Sequence, residues 1–371
     1  MTATHDRTTE KLTAPFPYYG GKGRIADLVW SALGDPSLYV EPFIGSAAVL
    51  LARPLPIDFP GNRVEIINDA DAFVANLWRS IQSNPRAVAQ RIDHPLSEID
   101  ILARHRRLCD HRAKRCMVDR VGLNAEYFDA RRAGDWLYCK SGWIGGGLCD
   151  GEWFGPGDPR NHGTGINGPK IPQLNTNGIF SRGRRLRLES IIDRLARRLR
   201  HVSICCGNWN RVFFPSQVEK GTVGVFLDPP YGYATGRCEK LYRVEKVENA
   251  DVAAFCRRLG RQRNLRIVLA GLDGEYDLPG WRVIPWSAGH CFSKPVNSED
   301  RHKERLWLSP HCLPVTVPIP VATGRAKPSR WRSRHAPNRC PRPRITTTPC
   351  ACRLAAPHSR RLGGAAATRR G

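Results

Sequence analysis

The segment GVFLDPPYGY, residues 224–233, places a carboxylate, two prolines and a tyrosine directly after an apolar run. Proline lacks the N–H group that a sheet ladder needs, so an apolar run ending in prolines is typical of a buried strand that stops there. Asp228 is then predicted at the carboxyl end of that strand, where open α/β sheets bind their ligands. A simple turn is the alternative interpretation, because a single Asp-Pro pair usually marks no more than that.

Three further motifs contain residue types suited to a nucleotide-like ligand. In PFPYYGGKGR, residues 15–24, two glycines permit close backbone approach and Lys22 adds a cation. In VEPFIGSAAV, residues 40–49, a strand turns through small residues into a helix, as in sites that hold a nucleoside-type cofactor. Asp69 closes the next strand, where a carboxylate can accept hydrogen bonds from ribose hydroxyls. Each motif alone is explained equally well as a glycine turn, a strand–helix junction or a helix cap.

Two segments of alternating strands and helices are predicted to position these motifs. In residues 14–83 each of two strands is followed by a helix, and Phe73, Leu77 and Ile81 recur at helical spacing. Residues 201–312 return to the same pattern. This alternation predicts an α/β fold with a parallel, Rossmann-like sheet covered by helices. The predicted strands and the later helix lie at 39–41, 64–67, 202–206, 225–227, 265–270 and 305–308, and at 250–259.

The chain is strongly basic and lacks the features of a secreted or membrane-spanning protein. Its formal net charge is +24 over 371 residues. A basic chain suits a polyanion such as nucleic acid, although charge alone does not establish one. The N-terminus has no apolar signal-peptide segment, and no run approaches the length of a membrane span. We therefore expect an intracellular protein whose 13 cysteines are reduced.

Residues 84–200 interrupt the α/β pattern and are predicted to form an insert. The segment begins helical and basic, and then passes into a stretch rich in glycine and proline that carries aromatic residues. Long loops inside a compact protein usually serve a function. The aromatic residues expected in this loop are Trp136, Tyr138, Trp143, Trp153 and Phe154.

A helix with one apolar face is predicted at the end of the insert. Packing on the sheet with a solvated basic face is the simplest interpretation. Contact with nucleic acid is a second interpretation, which the overall charge favours. The apolar stripe consists of Leu188, Ile191, Ile192, Leu195 and Leu199, opposite Arg187, Arg194, Arg197 and Arg198.

The segment 313–371 is a basic tail that contains no acidic residue. It is rich in Pro, Arg, Ala and Thr without periodicity, which predicts disorder. A zinc site there is conceivable, but the irregular ligand spacing argues against it, and we expect no metal. Its ligands would be Cys340, Cys350, Cys352 and His358.

Taken together and in this order, the four motifs resemble those of the DNA adenine-N6 methyltransferases of the Dam-like D12 class, especially phage-type DNA methylases. The resemblance covers residues 14–312 and is closest at the motifs. It implies a Rossmann-like S-adenosylmethionine-dependent methyltransferase sheet, with a cofactor-binding half at 14–83, a target-recognition insert at 84–200 and a catalytic half at 201–312. By position in the motifs, the residues expected to bind S-adenosylmethionine are Tyr18, Lys22, Glu41, Phe43, Gly45, Asp69, Asn208 and Asp228.

The resemblance implies site-specific methylation of adenine N6 in double-stranded DNA, with Asp228, Pro229, Pro230 and Tyr231 as catalytic residues. The adenine amine is a poor nucleophile because its lone pair is delocalised into the ring. If Asp228 and the carbonyl of Pro229 accept its two N–H groups, the nitrogen can direct its lone pair at a methyl group. Tyr231 offers a face to the target base, which must flip out of the duplex. A monomer or weak dimer in the cytoplasm of a bacterium or phage-infected host is expected, without membrane contact.

Two positions depart from the family pattern. Ala47 stands where the cofactor loop usually has a second glycine. Asn208 and Trp209 stand where an acid followed by an aromatic residue is common. We expect both changes to weaken cofactor binding rather than abolish it, since an amide oxygen can still accept a hydrogen bond.

Three alternative functions stay open at this point. Cytosine-N4 methylation shares the chemistry, but that class more often has Ser in place of Asp228, and protein-glutamine methyltransferases more often have Asn. A catalytically inactive DNA-binding relative is favoured by Ala47 and by the tail. The DNA sequence would be read by the insert. The candidate base-reading residues are Arg160, Asn161, Lys170, Gln173, Asn175 and Asn177.

Overall fold

The described part of the chain alternates helices and strands over most of its length. The structure is a computed structural model, and it describes residues 12–16, 18, 21–54, 63–144, 147–151, 165–166, 188–213, 221–231, 247, 249–287, 303–315 and 318. In chain order the elements are α1 (Ala26–Leu33), β1 (Leu38–Glu41), α2 (Ala48–Leu51), β2 (Val64–Asp69), α3 (Ala72–Ser83), α4 (Pro85–Ile92), α5 (Glu98–Cys109), α6 (His111–Leu123), α7 (Ala130–Gly142), β3 (Trp143–Ile144), β4 (Gly165–Ile166), α8 (Leu188–Leu199), β5 (Val202–Cys206), β6 (Val223–Leu227), α9 (Asn249–Leu259), β7 (Leu265–Leu272), β8 (Arg282–Pro285) and β9 (Glu304–Leu308). Two short 3₁₀ helices, Lys22–Arg24 and Trp209–Val212, lie beside the site described below.

Seven of the strands form one mixed sheet in the order β5-β2-β1-β6-β7-β9-β8. The first five strands in this order are parallel, whereas β9 is antiparallel to both of its neighbours. The register places Val40 of β1 beside Ile66 of β2 and Val225 of β6. The predicted α/β class with a mostly parallel sheet is therefore confirmed, and the sheet is compatible with a Rossmann-like fold. The chain extends the sheet from β1 through β2 to β5 on one side and through β6 to β7 on the other, and such a reversal marks a ligand crevice in open sheets.

Helices cover both faces of the sheet, and successive residues of β6 pack into different layers. Val225 and Leu227 belong to the hydrophobic cluster that includes α9, whereas Phe226 belongs to the cluster that includes α1, α3 and α8. All five residues of β6 are buried. Side chains alternate between the two faces of a strand, so a strand covered on both faces reads as an unbroken apolar run. This is why no polar residue interrupts the chain between Val223 and Asp228.

The helix that follows β2 begins at a capped residue and buries the predicted face. The carboxylate of Asp71 accepts a hydrogen bond from the N–H of Phe73 and so caps α3. Phe73, Leu77 and Ile81 are at most 1% exposed.

All six strands predicted for the sheet are present, and β8 is the additional one. It is a four-residue strand at the edge of the sheet, and its two apolar residues, Val283 and Ile284, are too few to show a period.

The described helices of residues 84–200 pack directly on the helical layer of the sheet. Residues of α4 to α8 share one hydrophobic cluster with α1 and α3, so no separate core is observed for the described part of this segment. The prediction of a loop at Trp136 and Tyr138 is wrong, because both lie buried in α7. A Cβ atom at Gly134 would lie 2.5 Å from the Arg91 side chain, so this glycine serves close helix packing rather than a loop.

Trp143 is also buried, and the centroid of its ring lies 4.6 Å from the ring centroid of His105. This contact supports a packing role for Trp143. The antiparallel pair β3 and β4 begins at this residue. Trp153, Phe154 and the six candidate base-reading residues lie outside the described residues, as do the proposed zinc ligands.

The apolar stripe of α8 is buried as predicted, but one of its arginines is not on a solvated face. Leu188, Ile192, Leu195 and Leu199 are buried, and Ile191 is half-buried. Arg198 is 8% exposed, and its guanidinium donates to both oxygens of Glu65 at 2.6 and 2.8 Å. A buried guanidinium needs such a partner, which a sequence pattern cannot reveal. Arg194 and Arg197 are half-buried, and Arg187 lies outside the described residues.

No helix in the described ranges is long and apolar enough to cross a membrane. The cysteines in these ranges carry free thiols. The same ranges hold no group of three or more His, Cys, Asp or Glu side chains arranged to bind a metal ion.

Candidate functional site

A cavity of about 350 Å³ lies at the carboxyl ends of β1, β2, β5 and β6, where the strand order reverses. The segments that line it are far apart in the chain, from residue 18 to residue 247. All of the residues that the sequence predicted to bind a cofactor are in its wall, and so is Pro230. They are Tyr18, Lys22, Glu41, Phe43, Gly45, Asp69, Asn208 and Asp228.

The loop between β1 and α2 needs a glycine at position 45. Gly45 has φ +44°, and a Cβ atom there would lie 2.7 Å from the ring of Tyr18. Its N–H donates to Asp69 Oδ2 at 3.0 Å, and its carbonyl accepts from the indole N–H of Trp78 at 3.0 Å. The left-handed backbone and the close tyrosine both exclude a side chain. The ring of Tyr18 therefore packs directly on the backbone of this loop.

Ala47 also adopts a left-handed conformation, with φ +56° and ψ +23°. Glycine adopts this backbone without the steric cost that a Cβ atom brings. A left-handed alanine costs about 1–2 kcal/mol. The Ala47 side chain is fully buried, so its methyl group recovers part of this cost through packing.

Asp69 holds the loop together as well as facing the cavity. Its two oxygens accept from the N–H groups of Gly45 and Asp71, at 3.0 and 2.8 Å. These two hydrogen bonds fix the position of the carboxylate in the cavity wall.

Asn68 is a residue that the sequence analysis missed. Its side-chain amide donates to the carbonyls of Pro42 and Gly207, both at 3.0 Å, and so ties the ends of β1 and β5 to β2. Its Oδ1 atom is buried and has no hydrogen-bond partner. The signal in the sequence was an amide directly after Ile66 and Ile67 of a predicted strand, because buried amides are retained where they form hydrogen bonds.

Lys22 and Asp228 form an ion pair of 2.8 Å at the edge of the cavity. Lys22 is 4% exposed, in the 3₁₀ turn after Gly21, and Asp228 follows β6 directly. Burial raises the pKa of the Asp228 carboxyl above its usual range, and the Lys22 ammonium opposes that rise. Lys22 therefore favours the ionised, hydrogen-bond-accepting form of Asp228.

Glu41 is a second buried carboxyl in the cavity wall. It is 2% exposed, and Oε2 accepts from the hydroxyl of Tyr39 at 2.8 Å. Burial raises the pKa of Glu41 well above its usual range, Tyr39 opposes the rise and nearby Asp228 adds to it. Because this raised pKa favours the neutral form of Glu41, the negative charge of the cavity wall comes from Asp69, Asp71 and Asp228, against the positive charge of Lys22.

An aromatic pair borders the cavity on the β5 side. The rings of Phe43 and Trp209 stack with centroids 6.0 Å apart and an interplanar angle of 28°. The Asn208 side chain accepts from the N–H of Asn210 at 3.3 Å and caps the second 3₁₀ helix. Asn208 thus lies beside a pair of aromatic faces that could border a planar ring.

Tyr231 and Pro229 are not in the cavity wall, although they belong to the same Asp-Pro-Pro-Tyr segment. The Tyr231 hydroxyl donates to Glu304 Oε2 at 2.7 Å. The Lys22 ammonium lies 5.1 Å from the centre of the Tyr231 ring. Glu304, on β9, was not predicted as a site residue, because nothing in the sequence links it to residue 231.

The comparisons with known proteins identify no family. No family model matches the chain, and the search of curated proteins returned no matching relative. The assignment of a function therefore depends on the chemistry of the cavity and of the segment beside it.

Proposed function

We propose that this protein is an S-adenosylmethionine-dependent DNA methyltransferase that methylates the N6 amine of adenine. The observation that supports this most is the single cavity that contains all eight predicted cofactor-binding residues, with Asp228 at its edge. The cavity occupies the reversal of strand order, which is the usual ligand crevice of such sheets. The proposal includes a methyltransferase sheet as the fold and membership of the family that the sequence resembles.

The residues of the cavity suit the chemical groups of S-adenosylmethionine. The volume of about 350 Å³ lies within the range of small-molecule sites. Asp69 offers acceptors for ribose hydroxyls, Phe43 and Trp209 offer aromatic faces for an adenine ring, and the acidic wall favours a cationic ligand. When bound, the cofactor supplies an electrophilic methyl group on a positively charged sulfur.

Asp228 is the residue that would handle the target amine. Its carboxylate accepts one N–H group, and the carbonyl of Pro229 can accept the other, which frees the nitrogen lone pair. The amine loses a proton on methylation, and burial has raised the pKa of Asp228 in the direction that favours uptake of that proton. Lys22 holds the carboxylate in place at 2.8 Å.

The basic character of the chain supports DNA as the polymer that carries the amine. Phosphate contacts supply most of the non-specific affinity for DNA, and the chain has 58 Lys and Arg against 34 acidic residues. Tyr231 is not in the cavity wall. Its ring is the surface on which we propose that the flipped base stacks.

The test is to incubate the full chain with unmethylated plasmid and methyl-labelled S-adenosylmethionine, digest the DNA and identify the labelled nucleoside. We expect label in N6-methyladenosine from the wild type and none from Asp228→Ala. Label in N4-methylcytosine would keep the site but change the base. Absence of label from a folded wild type that still binds DNA would favour an inactive DNA-binding relative. Labelled protein instead of DNA would indicate glutamine methylation.

A further inference from the structure

Glu304 belongs to an antiparallel strand that sequence motifs do not connect with the catalytic segment. It is the first residue of β9, and its Cα pairs with that of Leu272 at the end of β7. The sheet order places β9 two strands away from β6, which carries Asp228 at its end. The 2.7 Å hydrogen bond from Tyr231 spans this separation.

Lys22 stands between the two carboxyl groups at this edge of the site. Its ammonium is 2.8 Å from Asp228 and 5.1 Å from the centre of the Tyr231 ring, while the same ring is hydrogen-bonded to Glu304 at its hydroxyl. Burial raises the pKa of Glu304, and the charge of Lys22 opposes that rise. The ring of Tyr231 is thus held at its hydroxyl by Glu304 and faces a cation.

The pair of Tyr231 and Glu304 lies outside the wall of the cofactor cavity. Asp228 and Pro230 are in the wall, whereas Tyr231 and Glu304 are not. A change at Glu304 should therefore leave the binding of a small molecule in the cavity intact and affect only what lies beyond Asp228.

We propose that Glu304 is a positioning residue that fixes the ring of Tyr231 in the orientation on which the target base stacks. This inference rests on the proposed function. A ring held by its hydroxyl loses little conformational freedom when the base arrives, so more of the binding free energy reaches the transition state. Without Glu304 the ring loses the hydrogen bond at its hydroxyl, and the amine is aligned less often with Asp228.

The test compares Glu304→Ala, Glu304→Gln, Tyr231→Phe and the double variant Tyr231→Phe/Glu304→Ala in the plasmid methylation assay. We expect Glu304→Ala and Tyr231→Phe each to lower kcat by about tenfold, and the double variant to be no slower than either single variant. Glu304→Gln retains an oxygen that can accept from Tyr231, so its loss should be smaller. Affinity for S-adenosylmethionine, measured by calorimetry, should stay unchanged in all four.

The matched control is Asp273→Asn. Asp273 forms an exposed ion pair with Arg305, the residue after Glu304, so this variant removes a carboxylate at the same end of β9 without touching Tyr231. It should methylate DNA at the wild-type rate. If Glu304→Ala does not fold, Tyr231→Phe alone tests the proposal, because it keeps the ring and removes the hydroxyl that donates to Glu304.

Losses that multiply in the double variant, or wild-type kcat in Tyr231→Phe, would overturn the positioning role. A parallel loss of cofactor affinity would mean that Glu304 acts on the whole site, and would overturn it as well. These outcomes differ from failure of the proposed function, in which the wild type itself transfers no methyl group to DNA.

Discussion

At the scale of single residues, the ion pair between Lys22 and Asp228 leads us to predict how activity depends on pH. The ionised carboxylate of Asp228 accepts hydrogen bonds more strongly than the protonated carboxyl, and only the ionised form can take up the proton of the amine. Burial raises the pKa of Asp228, while Lys22 lowers it. Activity should therefore fall as the pH drops through this raised pKa. Replacing Lys22 by Met removes the opposing charge, so the pKa of Asp228 rises further and the acid limb of the kcat profile moves to higher pH.

The control for this prediction is Arg24→Met. Arg24 lies exposed in the same 3₁₀ turn as Lys22, and its replacement should leave the profile where it is. An acid limb at the same pH in Lys22→Met and in the wild type would refute the assigned pairing.

Gly45 makes a second prediction at this scale. In Gly45→Ala the new Cβ atom would lie 2.7 Å from the Tyr18 ring, on a backbone with φ +44°. The left-handed conformation and the overpacking together should cost about 2–4 kcal/mol of unfolding free energy. Binding of S-adenosylmethionine should weaken with it, because the loop and Tyr18 both face the cavity. Urea unfolding and calorimetry measure the two effects.

Gly23→Ala is the matched variant for Gly45→Ala. A Cβ atom there has no neighbour within 4 Å, so stability and cofactor binding should stay near wild type. Equal behaviour of the two glycine variants would show that the loop tolerates a side chain at position 45.

At the scale of elements, Asn68 joins the carboxyl ends of three strands. Asn68→Ala leaves the carbonyls of Pro42 and Gly207 without their donor, and buried unsatisfied groups cost about 1–3 kcal/mol each. We expect the unfolding free energy to fall by about 2–4 kcal/mol. Asn264→Ala is the control, because its 3.3 Å bond to the carbonyl of Gly221 is exposed, and water can replace it. A similar loss of unfolding free energy in both variants would contradict the role of Asn68 in joining the three strands.

The packing of α5 against the segment at 147–151 predicts a pH dependence of stability. His105 is 3% exposed and its Nε2 lies 3.2 Å from the carbonyl of Gly151. Burial lowers the pKa of His105. The hydrogen bond to the carbonyl of Gly151 and the charge of Asp150 oppose this change, and the charge of Lys114 adds to it. The unfolded chain binds the proton more readily, so stability should be full above the ordinary histidine pKa and decline as the pH falls below it.

Thermal unfolding of the wild type at several pH values between 8 and 5 measures this decline. In His105→Phe, which keeps a ring against Trp143, the decline should be smaller. His111→Gln, at an exposed position of α6, should keep the wild-type dependence. Identical pH profiles for wild type and His105→Phe would exclude His105 as the cause.

At the scale of the whole molecule, the charge of +24 predicts that salt weakens the affinity for DNA more than the affinity for the cofactor. If about six phosphates are contacted, DNA affinity should fall about a thousandfold between about 50 and about 200 mM salt. The cavity binds a small ligand through enclosed contacts, which salt screens less. Filter binding and calorimetry across this range measure both. Asp228→Ala should follow the wild-type salt dependence for DNA, since the basic residues are unchanged.

The sequence by itself determined the features that depend on near neighbours in the chain. The apolar run that stops at Asp228, the buried face of Phe73, Leu77 and Ile81, and the strand–loop–helix at Gly45 all follow from periodicity, proline and glycine. The residues predicted to bind a cofactor were assigned by their positions in the motifs of the family that the sequence resembles, and Asn208 by that resemblance alone.

Only the tertiary structure decided which distant segments meet. The pairing of Lys22 with Asp228, the hydrogen bond from Tyr231 to Glu304 and the buried pair of Arg198 with Glu65 join residues that no periodicity connects. Strand order brings them together, and a local pattern is the same for every order of the strands. Trp136 was wrongly predicted to lie in a loop because a stretch rich in glycine and proline follows it, and only the structure shows that α7 continues to Gly142 and buries the ring.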